Sequence, residues 1–347
     1  MRTILAVFAI LITPILTAYA DSPFTVSNVR IDASASNALE AQRAAMGEGQ
    51  VEAARRLITR LTLPEDRAAL GAISSDDANS MIAGLRVVNE QRSATRYLGD
   101  LEVNFDPQSV RRYLSSAGVP FVEAQALDAV VLPVLLTDGA SVLWDGNPWL
   151  SAWRELDFSH ALTPTRAPEG SSARAFITAQ SAAGFDQAAL QETAAAYGVS
   201  RIVVAVARAS GGSVRYEGAV YTFSSDGLER RDPIAMRAIS GGYSTAAERL
   251  VADLEMAWKR ESVVRGGGTR EARVTVVYRS LAEWRRLQQA VASASLVSDA
   301  RLDALSRDGA LMTLSYRGER SQLEREFSAR GAVLVDDPDI GLIIRSR

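Results

Sequence analysis

The chain has 347 residues, 47% hydrophobic and 23% charged, and its 38 basic and 41 acidic side chains leave a net charge of −3. That is a globular balance, without the basic field that draws nucleic acid or anionic lipid. The absence of cysteine and the single histidine, His160, exclude disulfide staples, a lipid-modified cysteine and any multi-histidine metal site within one chain.

The first twenty residues carry the strongest signal. Met1-Arg2-Thr3 is followed by an apolar run from Ile4 to Leu16 and by Ala18-Tyr19-Ala20 ahead of Asp21. A basic start, a short apolar stretch and a small-x-small site read as a secretory leader. The run is shorter than the ~20 residues a helix needs to span a bilayer. The chain is therefore expected to be periplasmic, cleaved after Ala20, with no transmembrane segment in the mature protein. It would work where ATP and nicotinamide cofactors are absent, and no cofactor or metal is expected. The remaining length suits two or three domains at about 100–150 residues each.

In the first, residues 21–122, alternation from Phe24 to Ile31 predicts a strand. A helix follows from about Asn37 to Arg60. Asn37 is placed to cap it, Glu40 stands at capping-box spacing, and Ala41, Ala44, Ala45, Val51, Ala54, Leu57, Ile58 and Leu61 form its apolar face. Leu63-Pro64 ends the helix. A short helix near Asp76–Ala83, strands at Gly84–Gln91 and Ala94–Asn104, and a helix opened by Asp106-Pro107 complete a compact α+β unit.

The middle domain, 123–263, opens on Ala129–Leu136, a continuous apolar run of the kind found in buried strands. Trp144, Trp149 and Trp153 surround Asp145-Gly146-Asn147-Pro148 at the start of a short helix, and Leu162–Ser172 reads as a loop. A helix at Asp186–Tyr197 stops at Gly198. Strands at Arg201–Arg208 and Ser213–Phe223 flank Gly211-Gly212 as a hairpin, with a third strand at Glu229–Ile239. Thr245 and Glu248 have capping-box spacing for a helix ending near Glu261.

Arg265–Arg270, with three glycines, is a flexible linker by composition, here bounded as 264–270. Residues 271–347 then give strand (Ala272–Tyr278), helix (Leu281–Ala292), two strands (Leu296–Leu305, Ala310–Tyr316), helix (Gln322–Arg330) and strand (Ala332–Val335), with a terminal strand at Ile340–Arg345. Ser280…Glu283 and Ser321…Glu324 mark the helix starts, and βαββαβ is the ferredoxin-like order. The fold class expected is thus α+β, two or three small α/β-sandwich domains with the C-terminal one ferredoxin-like.

The strand at Phe24–Ile31 and four stretches, ALEAQRAAMGEGQVEAARRLITRLTLP, RYLGDLEVNFDPQSVRRYLSSAGVP, VVLPVLLTDGASVLWDGNPWLSAW and AAAYGVSRIVVAVA, resemble the DUF2066 family of exported bacterial proteins. The resemblance covers most of the mature chain and implies a cell-envelope location. It transfers no catalytic residue, because the family's function is not established. The first strand and Ala-rich helix are also similar to the small N-terminal domain of periplasmic flagellar accessory proteins and LPP20-type lipoproteins. The middle segment resembles the α/β domain of TolB-type proteins, without a propeller repeat. These likenesses imply docking in the envelope rather than catalysis.

Residues with chemical potential each have a plainer reading. His160, beside Ser159 and three residues after Asp157, has the types of a hydrolytic triad, but adjacent Ser and His point apart and no G-x-S-x-G elbow exists. Asp336-Asp337-Pro338-Asp339 lacks the spacing of a calcium loop and suits a turn. Asp76-Asp77 complements a helix N-terminus. Gly241-Gly242 lacks the lysine of a phosphate loop. Asp186, Glu192 and Glu255 form no legible carboxylate pair. No catalytic, cofactor-binding or metal residue is assigned. Trp144, Trp149 and Trp153 remain as a candidate interaction surface, since tryptophan joins large apolar area to one donor. The alternative is that they pack over Ala129–Leu136. The expectation is a non-catalytic interaction or assembly factor whose partners are envelope proteins. The alternatives are a small-ligand binding protein or a carboxylate-dependent envelope hydrolase.

Overall fold

The computed structural model of the protein describes residues 22–170, 173–224, 227–265, 269–328 and 330–347. The expected leader and the three glycines of the linker lie outside the described residues. Three separate sheets, each with its own helices, make an α+β fold of several domains.

In the first, β1 (Thr25–Ser34), β2 (Ile82–Arg92) and β3 (Arg96–Phe105) form an antiparallel sheet in the order β1-β3-β2. Helix α1 (Ala38–Leu61) crosses one face, with α2 (Pro64–Arg67), α3 (Ser75–Met81) and α4 (Pro107–Ser116) closing the end. Asn37 caps α1 by accepting the Leu39 and Glu40 amides at 3.1 and 3.0 Å. The buried face of α1 runs through Ala41, Ala45, Gly49, Ala53, Leu57 and Leu61, so Ala44, expected inside, faces solvent. Four-residue spacing of small side chains lets the helix lie close to the sheet. A Cβ on Gly49 would stand 2.4 Å from the Ile31 side chain.

The middle sheet has the order β5-β4-β7-β8-β9. Its strands are β4 (Ala129–Leu136), β5 (Ser141–Val142), β6 (Thr165–Arg166), β7 (Arg201–Ser210), β8 (Ser213–Ser224) and β9 (Gly227–Ser240). Strands β6 and β7 pair with β4 in parallel and the rest are antiparallel. Both faces are covered, which is why β4 reads as an unbroken apolar run. Val131 and Leu135 point towards α5 (Pro148–Glu155) and α8 (Tyr243–Ser262). Val130, Leu132 and Val134 point towards α6 (Ala179–Ala183) and α7 (Gln187–Tyr197). Gly218 sits where any Cβ would lie 1.8 Å from the Val204 carbonyl. Helix α8 starts two residues before Thr245, at Tyr243, with Gly242 as its cap and no side-chain capping bond. The expected Thr245–Glu248 box therefore falls inside the first turn.

The C-terminal sheet comprises β10 (Arg270–Val277), β11 (Val297–Leu305), β12 (Gly309–Tyr316), β13 (Ala332–Asp337) and β14 (Gly341–Ser346), with α9 (Leu281–Ala292) and α10 (Arg320–Ser328) packed on it. Its order is β11-β12-β10-β14-β13. The ferredoxin-like split is present in β10-α9-β11-β12, but the place beside β10 goes to β14, which runs parallel to it. Strand β13 is displaced to the edge as the antiparallel neighbour of β14. Both strands bury two apolar residues, Ile343 and Ile344 on β14 and Ala332 and Leu334 on β13, but β13 ends on Asp336 and Asp337, which suit an edge. Helix α10 begins at Arg320, so Ser321 is already helical, and the Glu319 amide donates to Gln322 Oε1 instead. No helix among the described residues is long and apolar enough to cross a membrane.

Candidate functional site

The sequence-selected residues are mostly occupied with structure. Trp149 and Trp153 are 0% and 1% exposed, so they form no interaction surface. They pack edge to face, ring centroids 5.5 Å apart, over the β4 and β7 side chains, and Trp149 Nε1 donates to the Ala205 carbonyl at 3.0 Å. The large apolar area that made them interface candidates serves the core instead. Trp144 is half-buried, donates to the Ile177 carbonyl and lies beneath the Arg174 guanidinium. Trp153 Nε1 has no partner among the described residues and borders a cavity of about 440 Å³.

His160 Nδ1 lies 3.1 Å from the Ser22 carbonyl, and Asp157 accepts the Ser159 amide at 2.9 Å. The Ser159 side chain also bonds to Asp157, and the three form a turn tethered to Ser22, just ahead of β1. Asp337 accepts the Asp339 and Ile340 amides in the β13–β14 turn, and Asp336 pairs with Arg320. Asp77 closes a capping box with Ser74, which holds its carboxyl below the ordinary range. Asp186 caps α7.

The arrangement that gathers chemistry is the junction around α8. The first half of this helix buries Ala246, Ala247, Leu250 and Val251 against its own sheet. Its second half packs Met256 and Trp258 on the first domain's core, to which Val263 also belongs. Lys259, 4% exposed, donates to the Thr59 and Thr62 carbonyls at the end of α1, each at 3.0 Å. These are among the carbonyls that a helix C-terminus leaves without an internal partner. Glu255 accepts the Leu162 amide at 2.7 Å, and Arg60 donates to the Pro23 and Thr25 carbonyls at 2.7 and 2.6 Å. Burial lowers the pKa of Lys259 and of Arg60, with Glu255 opposing both shifts. Burial raises that of Glu255, against the pull of the Leu162 amide, Arg60 and Lys259. Trp258 Nε1 donates to the Ala124 carbonyl at 2.7 Å.

The C-terminal domain closes the other side. Arg325 Nη2 donates to the Glu261 carbonyl at 2.8 Å and Gln322 Nε2 to the Val263 carbonyl at 3.0 Å, so the end of α8 is capped from outside in its turn. Arg347 donates to the Phe223 carbonyl and to Glu229, at 3.0 and 2.6 Å. Between the two domains lies a cavity of about 160 Å³. Its apolar wall comes from Ala126, Leu127, Val220, Leu254, Ala257 and Trp258, and its polar wall includes Thr163, Arg201, Arg230 and Arg325 with Glu229, Asp232 and Glu261.

The three carboxylates are all engaged. Arg230 holds Asp232 at 2.6 Å and Glu261 at 2.7 Å, and Arg347 holds Glu229. Glu261 keeps Arg230 above its ordinary pKa despite burial. Arg201, Arg325, Thr163 and Lys259 carried no motif in the sequence. They are single residues far apart in the chain, and only the packing of three domains brings them to one helix. Among the described residues no group of three or more His, Cys, Asp or Glu side chains could hold a metal ion.

No family model, no curated protein and no solved structure matches the chain.

Proposed function

We propose that the protein is a non-catalytic interaction or assembly factor of the bacterial cell envelope, exported by its N-terminal leader and binding envelope proteins. The observation carrying this reading is the placement of exposed apolar side chains. Of nine large hydrophobic residues exposed among the described residues, five lie on free edge strands. They are Leu85 and Val88 on β2, Met236 on β9, and Leu302 and Leu305 on β11, with Met236 62% and Leu305 58% exposed. Scattered exposed leucines carry no message, but concentration on unpaired edges marks where an extended polypeptide adds to a sheet. Pro233 deprives β9 of one amide donor, and register shifts fall within β2 and β11. A partner strand would therefore pair over short runs and take much of its contact from these side chains.

A photo-crosslinking amino acid placed at Val88, Met236 or Leu302 in the native envelope should give discrete adducts to a polypeptide. The same probe at exposed Arg43 on α1 should not. Adducts no stronger at the three edge positions than at Arg43 would overturn the reading.

A further inference from the structure

We infer that the cavity between the middle and C-terminal domains is a binding site for a small monocarboxylate with an apolar body. The anion is received by Arg201, Arg325 and Thr163. This goes beyond the docking role proposed above and does not depend on it.

The argument is an account of donors and acceptors. Every carboxylate on the cavity wall is held by an arginine, Asp232 and Glu261 by Arg230 and Glu229 by Arg347. Two further arginines at the same wall have no carboxylate within ion-pair distance among the described residues. Among the described residues the Arg201 side chain makes one hydrogen bond, from Nη1 to the Leu127 carbonyl at 2.8 Å. Arg325 donates only through Nη2, to the Glu261 carbonyl, and its Nε is buried with no partner. Thr163, 1% exposed, carries a hydroxyl that is also buried without a partner. Native proteins leave few buried polar atoms unsatisfied, and two of them bordering one cavity point to a missing acceptor.

The lining itself is neutral, with three arginines and three carboxylates, but Arg230 holds two of the carboxylates and Arg347, from outside the lining, holds the third, so Arg201 and Arg325 are left without one. Burial pulls Arg201 down to about 10, although Asp232 works to raise it, so the guanidinium is still protonated at neutral pH. A planar carboxylate matches the guanidinium fork that these two arginines present. The remaining wall, from Ala126, Val220, Leu254 and Trp258, is apolar and would cover an aliphatic or aromatic body.

The test is calorimetric titration of the purified protein with benzoate, with benzamide as a neutral counterpart and inorganic phosphate as a compact anion. Benzoate is expected to bind saturably and the other two to bind at least about tenfold more weakly, since a charge-assisted bond is lost or an apolar body is missing. Thr163→Val and Arg201→Met should each weaken benzoate about tenfold or more. If Arg201→Met fails to fold, Thr163→Val, which keeps the shape, decides alone. The inference is overturned if benzoate shows no saturable binding at millimolar concentration. Benzamide or phosphate binding as well as benzoate, or benzoate binding Thr163→Val as tightly as the parent, also overturns it. None of these outcomes touches the edge-strand crosslinks.

Discussion

Helix α8 makes two junctions by the same device, and they end differently. On the first-domain side Lys259 is inserted among the last carbonyls of α1, and on the C-terminal side Arg325 reaches the Glu261 carbonyl near the end of α8. In both, a cation from one domain meets the negative end of a helix in another. The first junction is sealed: Lys259, Glu255, Arg60 and Trp258 each have a partner within 3.0 Å. The second encloses a cavity and leaves the Thr163 hydroxyl and Arg325 Nε without partners. A satisfied buried network fixes how domains sit, whereas unsatisfied donors around a void cost stability and call for another purpose. The contrast assigns a structural role to one end of the hub and a binding role to the other.

The sharpest way to break the contrast is Lys259→Ala. It strips a buried cation from two carbonyls and leaves Glu255 as a less compensated buried charge, so a loss of about 3 kcal/mol is expected in urea unfolding. A loss below about 1 kcal/mol would put the sealed junction on the level of a surface ion pair.

Thr163→Val acts in the opposite sense on the open side. A hydroxyl buried without a partner is replaced by a methyl of similar shape, so the unliganded protein should gain about 1 kcal/mol. Destabilisation by that amount would mean that the hydroxyl is already satisfied.

The smallest effect is one of pH. The folded pKa of Glu255 lies above its ordinary 4.5, chiefly through burial. Its contribution is therefore full below 4.5 and is lost as the pH rises through the folded value, because the folded state holds the proton longer than the unfolded one. Unfolding measured from pH 4.5 to neutrality should show the parent losing stability relative to Glu255→Gln. A difference between the two that stays constant over this range would contradict the assignment.

Much of the fold was legible because it rests on local rules. Helix α9 matches its predicted limits, Leu281–Ala292, since its Ser280 cap sits ahead of an amphipathic run. Helix α7 runs from its Asp186 cap to Gly198 in left-handed conformation, the signals by which it was read. Strand β4 was read as buried because both its faces are apolar. Errors appear where two local signals compete, as at Thr245 and Ser321, or where a neighbour decides exposure. Ala44 and the tryptophans are of that kind. A tryptophan in a Pro-rich turn suits a surface or a core, and the β4–β7 sheet beneath Trp149 and Trp153 settled the matter.

From the amino-acid order alone came the α+β class, nearly all of the longer helices and strands, and the placing of Asp336–Asp339 in a turn between strands and of Asp77 at a helix start. These follow from periodicity, caps and turn chemistry, which act over a few residues. The exchange of β13 and β14, the capping of α1 by Lys259 and the gathering of Thr163, Arg201 and Arg325 were decided by tertiary structure. Each joins residues distant in the chain, and such contacts do not exist until the domains are packed.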